Sequence, residues 1–287
     1  MFVSDALPEH PGAEPPSFSV EDLGVFGGMA FLAVIQASAD AGFRHVRARP
    51  GFGARLAPHR AMRHLILSTL LEAGVLAPIA SRRRLDDAVS EAPWGEDASL
   101  EDADWLIVWN EATRGSLPHQ LRATMDTFDS TARSREVILQ TWQLLAIGEC
   151  LAFGEYALTA HNLNPALARP AAAVLPTILA QLSIGQGCAL MWSAAKHLAS
   201  WFMRNGAGPA GTAERELVNS ICMNADRAHF GGRPVKQFSR HSSVPMSTFA
   251  STFIWTSRLG DDYWEVPMSE DALDRARPIG SGDAAHE

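Results

Sequence analysis

The chain has 287 residues, a net charge of −8 and 47% hydrophobic residues, which is enough for one large domain or two smaller ones that share an interface. No window approaches the roughly 18 uninterrupted apolar residues that a membrane span requires. Residues 1–17 hold acids and prolines in place of the basic start and apolar run of a signal peptide. We therefore expect a cytoplasmic protein that does not contact a membrane.

The first predicted elements follow a proline-rich polar segment, residues 1–18, which we expect to be disordered. The apolar stretch 29–41 predicts a helix that ends at Gly42, a residue type favoured just beyond a helix C-terminus. Residues 59–73 place apolar side chains at i, i+3 and i+4 spacing and are followed by Gly74. This spacing predicts a second helix.

A short strand and a basic turn follow the second helix. Residues 75–79 are apolar and predict a strand, residues 81–84 predict an arginine-rich turn, and residues 85–89 predict a weak return strand. Helix, strand, basic turn and return strand occur in this order in a winged helix-turn-helix. The sequence therefore predicts a winged-helix-like module with a small β-hairpin over residues 19–112.

The rest of the chain predicts a helical bundle over residues 113–265 and a flexible tail over residues 266–287. We expect helices over four segments, residues 116–128, 134–161, 183–206 and 212–227. Ser183 and Gln186 fit a capping box at the start of the third segment. Residues 246–255 are ambiguous between strand and helix. The predicted fold class is mainly α.

Charge is strongly separated along the first module. Residues 42–84 carry nine arginines and one acid, and nine minus one leaves +8. Residues 85–112 carry nine acids and neither lysine nor arginine, which is −9. The basic character is therefore local, because the whole chain is acidic.

The basic segment favours contact with nucleic acid. The predicted helix 59–73 would present Arg60 and Arg63 in its first turn, one short strand before the arginine-rich turn. In a winged helix these two elements meet the major groove and the flanking phosphates, and arginine forks onto phosphate oxygens or a guanine edge. The residues predicted to bind DNA or RNA are Arg60, Arg63, Arg82, Arg83 and Arg84.

The same charges have an ordinary alternative interpretation. The basic segment can fold back on the acidic segment, so that its arginines pair with carboxylates such as Asp86 and Glu91 in a surface network. Exposed pairs of this kind contribute little individually to stability. The acidic segment can also compete with DNA for the basic face and so act as an autoinhibitor.

A second basic stretch lies in a loop marked by Gly231, Gly232 and Pro234. A flexible backbone with several cations can bind a phosphate group, although most such loops are simply solvated. The candidate anion-binding residues of this loop are Arg227, Arg233, Lys236 and Arg240.

Enzyme motifs are scarce. The chain has no P-loop, no G-x-S-x-G and no H-E-x-x-H, and it lacks the Glu-x-x-His of metal-binding helix bundles. Glu149 nevertheless falls near the buried face of a predicted helix and needs a partner there, most simply an arginine or histidine from a neighbouring helix. A site around Glu149, His161 and His197 is the weakest of our hypotheses. We predict no catalytic residue, metal ligand or cofactor.

Cysteines and tryptophans are predicted to serve the core. Three widely separated cysteines without a C-x-x-C pair argue against a disulfide framework and a zinc knuckle, and they are Cys150, Cys188 and Cys222. The tryptophans can stack on bases, but several of them fit helical core stripes, namely Trp142, Trp192 and Trp201.

The sequence therefore favours two functional interpretations. The first is a non-enzymatic nucleic-acid-binding or adaptor protein that uses the arginine-rich module. The second is a protein-binding helical subunit of a larger assembly, without nucleic-acid contact, whose partner is another protein or a second copy of the chain.

Overall fold

The structure is a computed structural model that describes residues 19–47, 55–79, 104–127, 132–206, 209, 211–232 and 234–276. Within these ranges most residues are helical, and one small antiparallel sheet of three strands is present. The prediction of a mainly α protein is confirmed. The N-terminal segment predicted to be disordered lies outside the described residues.

Among the described residues, the first half of the chain contains four helices and three short strands. A 3₁₀ turn at Val20–Leu23 leads into the first helix. The elements are α1 (Gly24–Ser38), β1 (His45–Val46), α2 (Arg60–Glu72), β2 (Leu76–Pro78), β3 (Trp105–Ile107), α3 (Glu111–Arg114) and α4 (Leu117–Asp126). Helix α1 is apolar on all sides, as expected of a helix that is buried all round, and it starts five residues before the predicted stretch.

The second half is entirely helical among its described elements. They are α5 (Ala132–Ala160), a 3₁₀ helix (Pro165–Ala173), α6 (Leu175–Leu179), α7 (Ile184–Asn205), α8 (Thr212–Phe230), α9 (Thr248–Ser257), α10 (Asp262–Glu265) and α11 (Glu270–Ala276). The ambiguous segment 246–255 forms most of α9, which begins with the Ser247 hydroxyl accepting a bond from the Ala250 amide. Helix α11 occupies part of the segment expected to be a flexible tail, because Ala272 and Leu273 are buried in the core.

Helices α1 and α5 organise the packing. Helix α5 packs against α7, the 3₁₀ helix and α2. Helix α1 contacts α2, α4, α5 and α9. One continuous set of buried apolar residues runs from Val20 to Leu273. This set includes residues on both sides of residue 112, and the division of the chain predicted there stays a prediction.

Two helical segments have the length and apolar composition to cross a membrane, namely Val20–Ser38 and Arg133–Ala160. Most of each segment is buried inside the protein, 67% and 72% respectively. Helices in a protein core pass the same test of length and composition, so neither segment assigns a location. A cytoplasmic location and the absence of membrane contact stay predictions.

The sheet connects three strands in the order β1-β3-β2, and both pairings are antiparallel. Pro78 in β2 lies opposite Trp105 in β3, and Val46 in β1 lies opposite the same tryptophan. The predicted return strand, residues 85–89, lies outside the described residues. In the described part of the chain, β2 pairs instead with β3, which begins at Trp105, about 20 residues after the start of the predicted return strand.

Candidate functional site

Helix α2 carries the first arginines of the predicted interface. Its N-cap is His59, whose Nδ1 accepts a hydrogen bond from the Ala61 amide at 3.3 Å. Its packed face is formed by the buried residues Met62, Ile66, Leu67 and Leu70. Arg60 is exposed, whereas Arg63 lies one turn before Ile66 and Leu67 on the packed side and is partly buried.

The start of α2 is held against α5. The His59 Nε2 atom lies 3.4 Å from the Glu155 Oε1 atom. Gly148 passes so close to the residue before the cap that an added Cβ atom would lie 3.0 Å from the Pro58 Cγ atom. The orientation of α2 is therefore fixed by the long central helix, and not by its own module alone.

The arginines of the basic segment are distributed over several environments. Arg44 forms an exposed ion pair with Glu111, which belongs to the acidic segment, so at this position the two segments do pair. Arg60 and Arg63 are not free either, because each takes part in an interaction. Arg47 and Arg55 are exposed. The arginines of the predicted turn, Arg82, Arg83 and Arg84, lie outside the described residues.

The sheet fixes where the arginine-rich connection starts and ends. Because Pro78 pairs with Trp105, the chain leaves β2 and re-enters β3 at the same end of the hairpin. Helix α2 ends at Glu72, and three residues lie between it and the start of β2. Residues 82–84 therefore belong to the connection between β2 and β3.

Glu149 is the most deeply buried carboxylate that the structure describes, with 1% of its side chain exposed. Its two oxygens accept hydrogen bonds from the Arg240 guanidinium, from Nη1 at 2.7 Å and from Nη2 at 2.9 Å. The prediction that this carboxylate needs a cationic partner is confirmed. The partner comes from an extended segment and not from a helix.

Two aromatic residues complete the surroundings of this ion pair. The Tyr263 hydroxyl donates a hydrogen bond to the Glu149 Oε1 atom at 3.3 Å. The guanidinium carbon of Arg240 lies 4.3 Å from the centre of the Trp264 ring, which is a cation–π contact. Burial, together with the negative charge of Glu149, raises the pKa of Tyr263 well above its ordinary value.

For Arg240, burial and the neighbouring Glu149 act on the pKa in opposite directions. Burial alone would lower the pKa of its guanidinium, but the hydrogen bonds and the charge of Glu149 outweigh burial and raise that pKa. Because only 19% of the side chain is exposed, the cation is held against the carboxylate. This cluster therefore joins the extended segment to α5 through charge.

The extended segment itself, residues 234–247, will be called the strap. The Gln237 side chain accepts a bond from the Ser183 hydroxyl at 2.7 Å and donates to the Trp264 carbonyl at 3.2 Å. The Phe238 amide donates to the Gly185 carbonyl at 3.3 Å, and the Phe238 carbonyl accepts a bond from the Trp264 indole at 2.7 Å. Gln237 and Phe238 thus bond the strap to the start of α7 and to α10.

These contacts separate the candidate anion-binding residues. Arg240 turns inward to Glu149, whereas Lys236 remains exposed with its Nζ atom 5.7 Å from the Phe238 ring centre. Arg227 is exposed at the end of α8, and Arg233 lies outside the described residues. The described members of the group therefore do not converge on one anion position.

The three residues of the enzyme hypothesis also have separate partners. His197 bonds to Glu216 at 2.8 Å, and the His161 ring packs on Trp192 with ring centres 5.0 Å apart. Twelve residues of helix separate Glu149 from His161, about 18 Å at 1.5 Å per residue. Among the residues that the structure describes, no group of three or more His, Cys, Asp or Glu side chains could hold a metal ion.

The cysteines occupy the positions expected of core residues. Cys150 and Cys188 are fully buried where α5 meets α7, and Cys222 is partly buried on α8. Burial raises the pKa of the Cys188 thiol well above its ordinary value, and its contact with Cys150 adds to the effect. Low thiolate content makes Cys188 a poor nucleophile.

Sequence reasoning missed Tyr263, Trp264 and the role of Gly185. No local signal identifies them, because each contact joins positions far apart in the chain. The comparisons with protein-family models, with curated proteins and with solved structures gave no match. The function is therefore argued from the residues of this chain.

Proposed function

We propose that the N-terminal module binds duplex DNA without catalysing a reaction, in the manner of a winged helix. Helix α2 would lie toward the major groove, and the connection between β2 and β3 would contact the neighbouring backbone as the wing. The observation that carries the proposal is the sheet order β1-β3-β2 with α2 immediately before β2. The connection between β2 and β3 is the one that bears three consecutive arginines.

The described arginines support different roles within this proposal. Arg60 is exposed at the first turn of α2, which suits a phosphate contact. Arg63 is partly buried on the packed side of the helix, so in this proposal Arg60 carries the phosphate contact of α2. The remaining phosphate contacts are assigned to Arg82, Arg83 and Arg84, because arginine forks onto phosphate oxygens.

A salt series tests the proposal. We would measure binding of the full chain to mixed-sequence duplex DNA, and to duplex RNA of the same sequence, by gel shift between about 50 and 200 mM salt. The key variant is Arg82→Ala/Arg83→Ala/Arg84→Ala. Its control is a triple variant with the same loss of charge at exposed positions elsewhere, Arg122→Ala/Arg204→Ala/Arg215→Ala.

The expected result is DNA binding that weakens steeply with salt. Removing three phosphate contacts should lower the slope of log affinity against log salt by about 2 to 3, whereas the control variant should bind like the parent chain. Absence of DNA binding at low salt contradicts the proposal. So does equal loss in both variants, or tighter binding to duplex RNA than to duplex DNA.

A second candidate function, self-association through α8, is favoured by exposed apolar side chains. Met223 and Phe230 are 52% and 82% exposed and lie two turns apart on the same face. An antiparallel second copy of α8 would place Met223 against Phe230, and Asp226 against Arg227, in both directions at once. Such a surface is self-complementary, as a two-fold interface requires.

Light scattering across a concentration series tests this second function. The parent chain should form a dimer, and Phe230→Ser should shift it toward the monomer at equal concentration. The control is Met246→Ser, which changes an exposed apolar residue outside α8. Phe202→Ser would not serve as a control, because Phe202 packs against the core. A parent chain that stays monomeric, or a dimer unaffected by Phe230→Ser, excludes α8 as the interface.

A further inference from the structure

A cavity of about 460 Å³ opens between α1, α4 and α9, on a different part of the surface from the strap. It is lined by Leu32, Gln36, Arg122, Ser251, Thr252 and Trp255. This volume lies within the range of about 300–1,000 Å³ that is typical of small-molecule sites. The lining contains one cation and no carboxylate.

Arg122 supplies the charge of this cavity. Its helix, α4, is held in place by three buried residues, Leu117, Leu121 and Met125. The Arg122 side chain is exposed, and within the described part of the chain its guanidinium forms no ion pair or hydrogen bond. An arginine fixed by a rigid helix, with its donors available, is suited to bind a carboxylate with two parallel hydrogen bonds.

The polar groups beside Arg122 are also arranged as donors. The Thr252 hydroxyl donates to the Thr248 carbonyl at 2.9 Å, and its oxygen lies 3.4 Å from the Gln36 Oε1 atom. The Gln36 amide thus has its oxygen toward Thr252 and its NH₂ group away from Thr252. The hydroxyl of Ser251 adds a further donor at the exposed rim. Donors without a neighbouring carboxylate favour an anionic ligand.

The apolar part of the cavity favours a flat ligand body. Trp255 is 43% exposed although it is a large aromatic residue, and it stands beside the fully buried Leu32. The exposed indole of Trp255 provides a surface on which a planar ring can stack. The cation and the flat apolar surface thus occur within one cavity.

We propose that this cavity binds a small aromatic carboxylate, with the carboxylate on Arg122 and the ring against Trp255. The Gln36 amide and the Ser251 hydroxyl donate to the carboxylate oxygen that Arg122 leaves accessible. This site does not depend on DNA binding by the N-terminal module, and its test is independent of the gel-shift series.

Calorimetric titration with three probes tests the proposal. The probes are 1-naphthoate, its neutral analogue 1-naphthamide, and acetate, which has the charge without the ring. We expect 1-naphthoate to bind saturably below about 10 mM. We expect 1-naphthamide to bind at least about tenfold more weakly, because a charged hydrogen-bonding partner is lost. Acetate should not saturate.

Variants assign the binding to this cavity. Arg122→Ala should weaken 1-naphthoate at least about tenfold, and Arg122→Lys should restore only part of the loss because lysine lacks the planar fork. Trp255→Ala should weaken the naphthyl probe as well. Arg204→Ala, which removes an exposed arginine at the end of α7, should leave binding unchanged.

The result that overturns the proposal is equally specific. If 1-naphthoate does not bind saturably, or if Arg122→Ala binds it like the parent chain, the cavity is not a carboxylate site. Equal affinity for 1-naphthamide and 1-naphthoate would show that charge plays no part. Arg122 and Trp255 are both exposed, so thermal melting of the variants should match that of the parent chain and verify folding.

Discussion

Arg240 and Glu149 are 91 residues apart in the sequence and form a two-point ion pair, with N–O distances of 2.7 and 2.9 Å. The carboxylate is buried on α5, and the guanidinium reaches it from the strap. The pair therefore couples the position of a segment without regular secondary structure to the central helix. Four predictions follow from this cluster and from the contacts beside it.

Removing one partner of the ion pair should destabilise the protein strongly. Arg240→Ala leaves the Glu149 carboxylate buried without a cation, and breaking a buried pair in this way costs about 3 to 5 kcal/mol, toward the lower end here because Arg240 is partly exposed. Urea unfolding followed by circular dichroism measures the loss. The double variant Glu149→Met/Arg240→Met should recover most of it, because replacing both charges by apolar groups is often neutral. A double variant as unstable as Arg240→Ala would contradict the assignment.

Gly185→Ala should loosen the strap. An added Cβ atom at this position would lie 2.5 Å from the Phe238 carbonyl oxygen, and backbone atoms cannot yield cheaply. We expect a net loss of about 1 to 3 kcal/mol from overpacking, although alanine is the better helix former. Gly115→Ala is the matched control, since a Cβ atom there meets nothing within 4 Å. Equal unfolding midpoints for the two variants would contradict the close approach of the strap.

Ser183→Ala removes one hydroxyl group and, with it, two hydrogen bonds. The Ser183 hydroxyl accepts a hydrogen bond from the Gln186 amide at 3.2 Å, as the predicted capping box requires, and it also donates to Gln237 of the strap. Loss of an N-cap costs about 0.5 to 2 kcal/mol, and the strap contact should bring the loss to the upper part of this range. Ser193→Ala, inside the same helix, should change unfolding little. A cost of the same size in Ser193→Ala would argue against a special role for Ser183.

Tyr263 should make the protein sensitive to alkali. The chain has two tyrosines, and the pKa of Tyr263 is raised in the folded state because of its burial and the charge of Glu149. Its contribution to stability is therefore complete below about pH 10, the ordinary value for tyrosine, and is lost as the pH rises through the folded-state pKa. Ultraviolet titration should show one tyrosine that ionises only as the protein unfolds.

Tyr263→Phe provides the check on this titration. It should abolish the delayed ionisation and flatten the fall in stability above about pH 10, at a cost of about 1 kcal/mol near neutral pH for the lost hydrogen bond. If the delayed ionisation persists in Tyr263→Phe, it belongs to another residue.

Much of the helical structure could be predicted because its signals are local. Helix α7 runs over Ile184–Asn205 as its capping box and apolar spacing predicted, and α2 falls within the predicted stretch 59–73. Both signals depend on residues three or four positions apart, which a single sequence displays directly. Residues 246–255 stayed ambiguous because a short apolar stretch fits either element.

The candidate site could be predicted only in part. Burial of Glu149 on an apolar helix face required a cation, but nothing local distinguished Arg240 from the other arginines of the basic loop. Arg240 was consequently grouped with Lys236 as an anion-binding residue, although in the structure its guanidinium already holds a carboxylate. Similarly, β3 at Trp105–Ile107 could not be identified from its sequence, since the choice of pairing partner for β2 depends on packing far along the chain.

The sequence by itself determined where most helices lie and that Glu149 needs a charged neighbour. Tertiary structure alone decided that Arg240 meets Glu149, that Trp105 lies opposite Pro78 and that Arg122 and Trp255 share a cavity. The physical reason is that helix formation follows from the periodicity and capping of neighbouring residues. Ion pairs, strand pairing and cavities arise only when the packing of distant helices brings their side chains together.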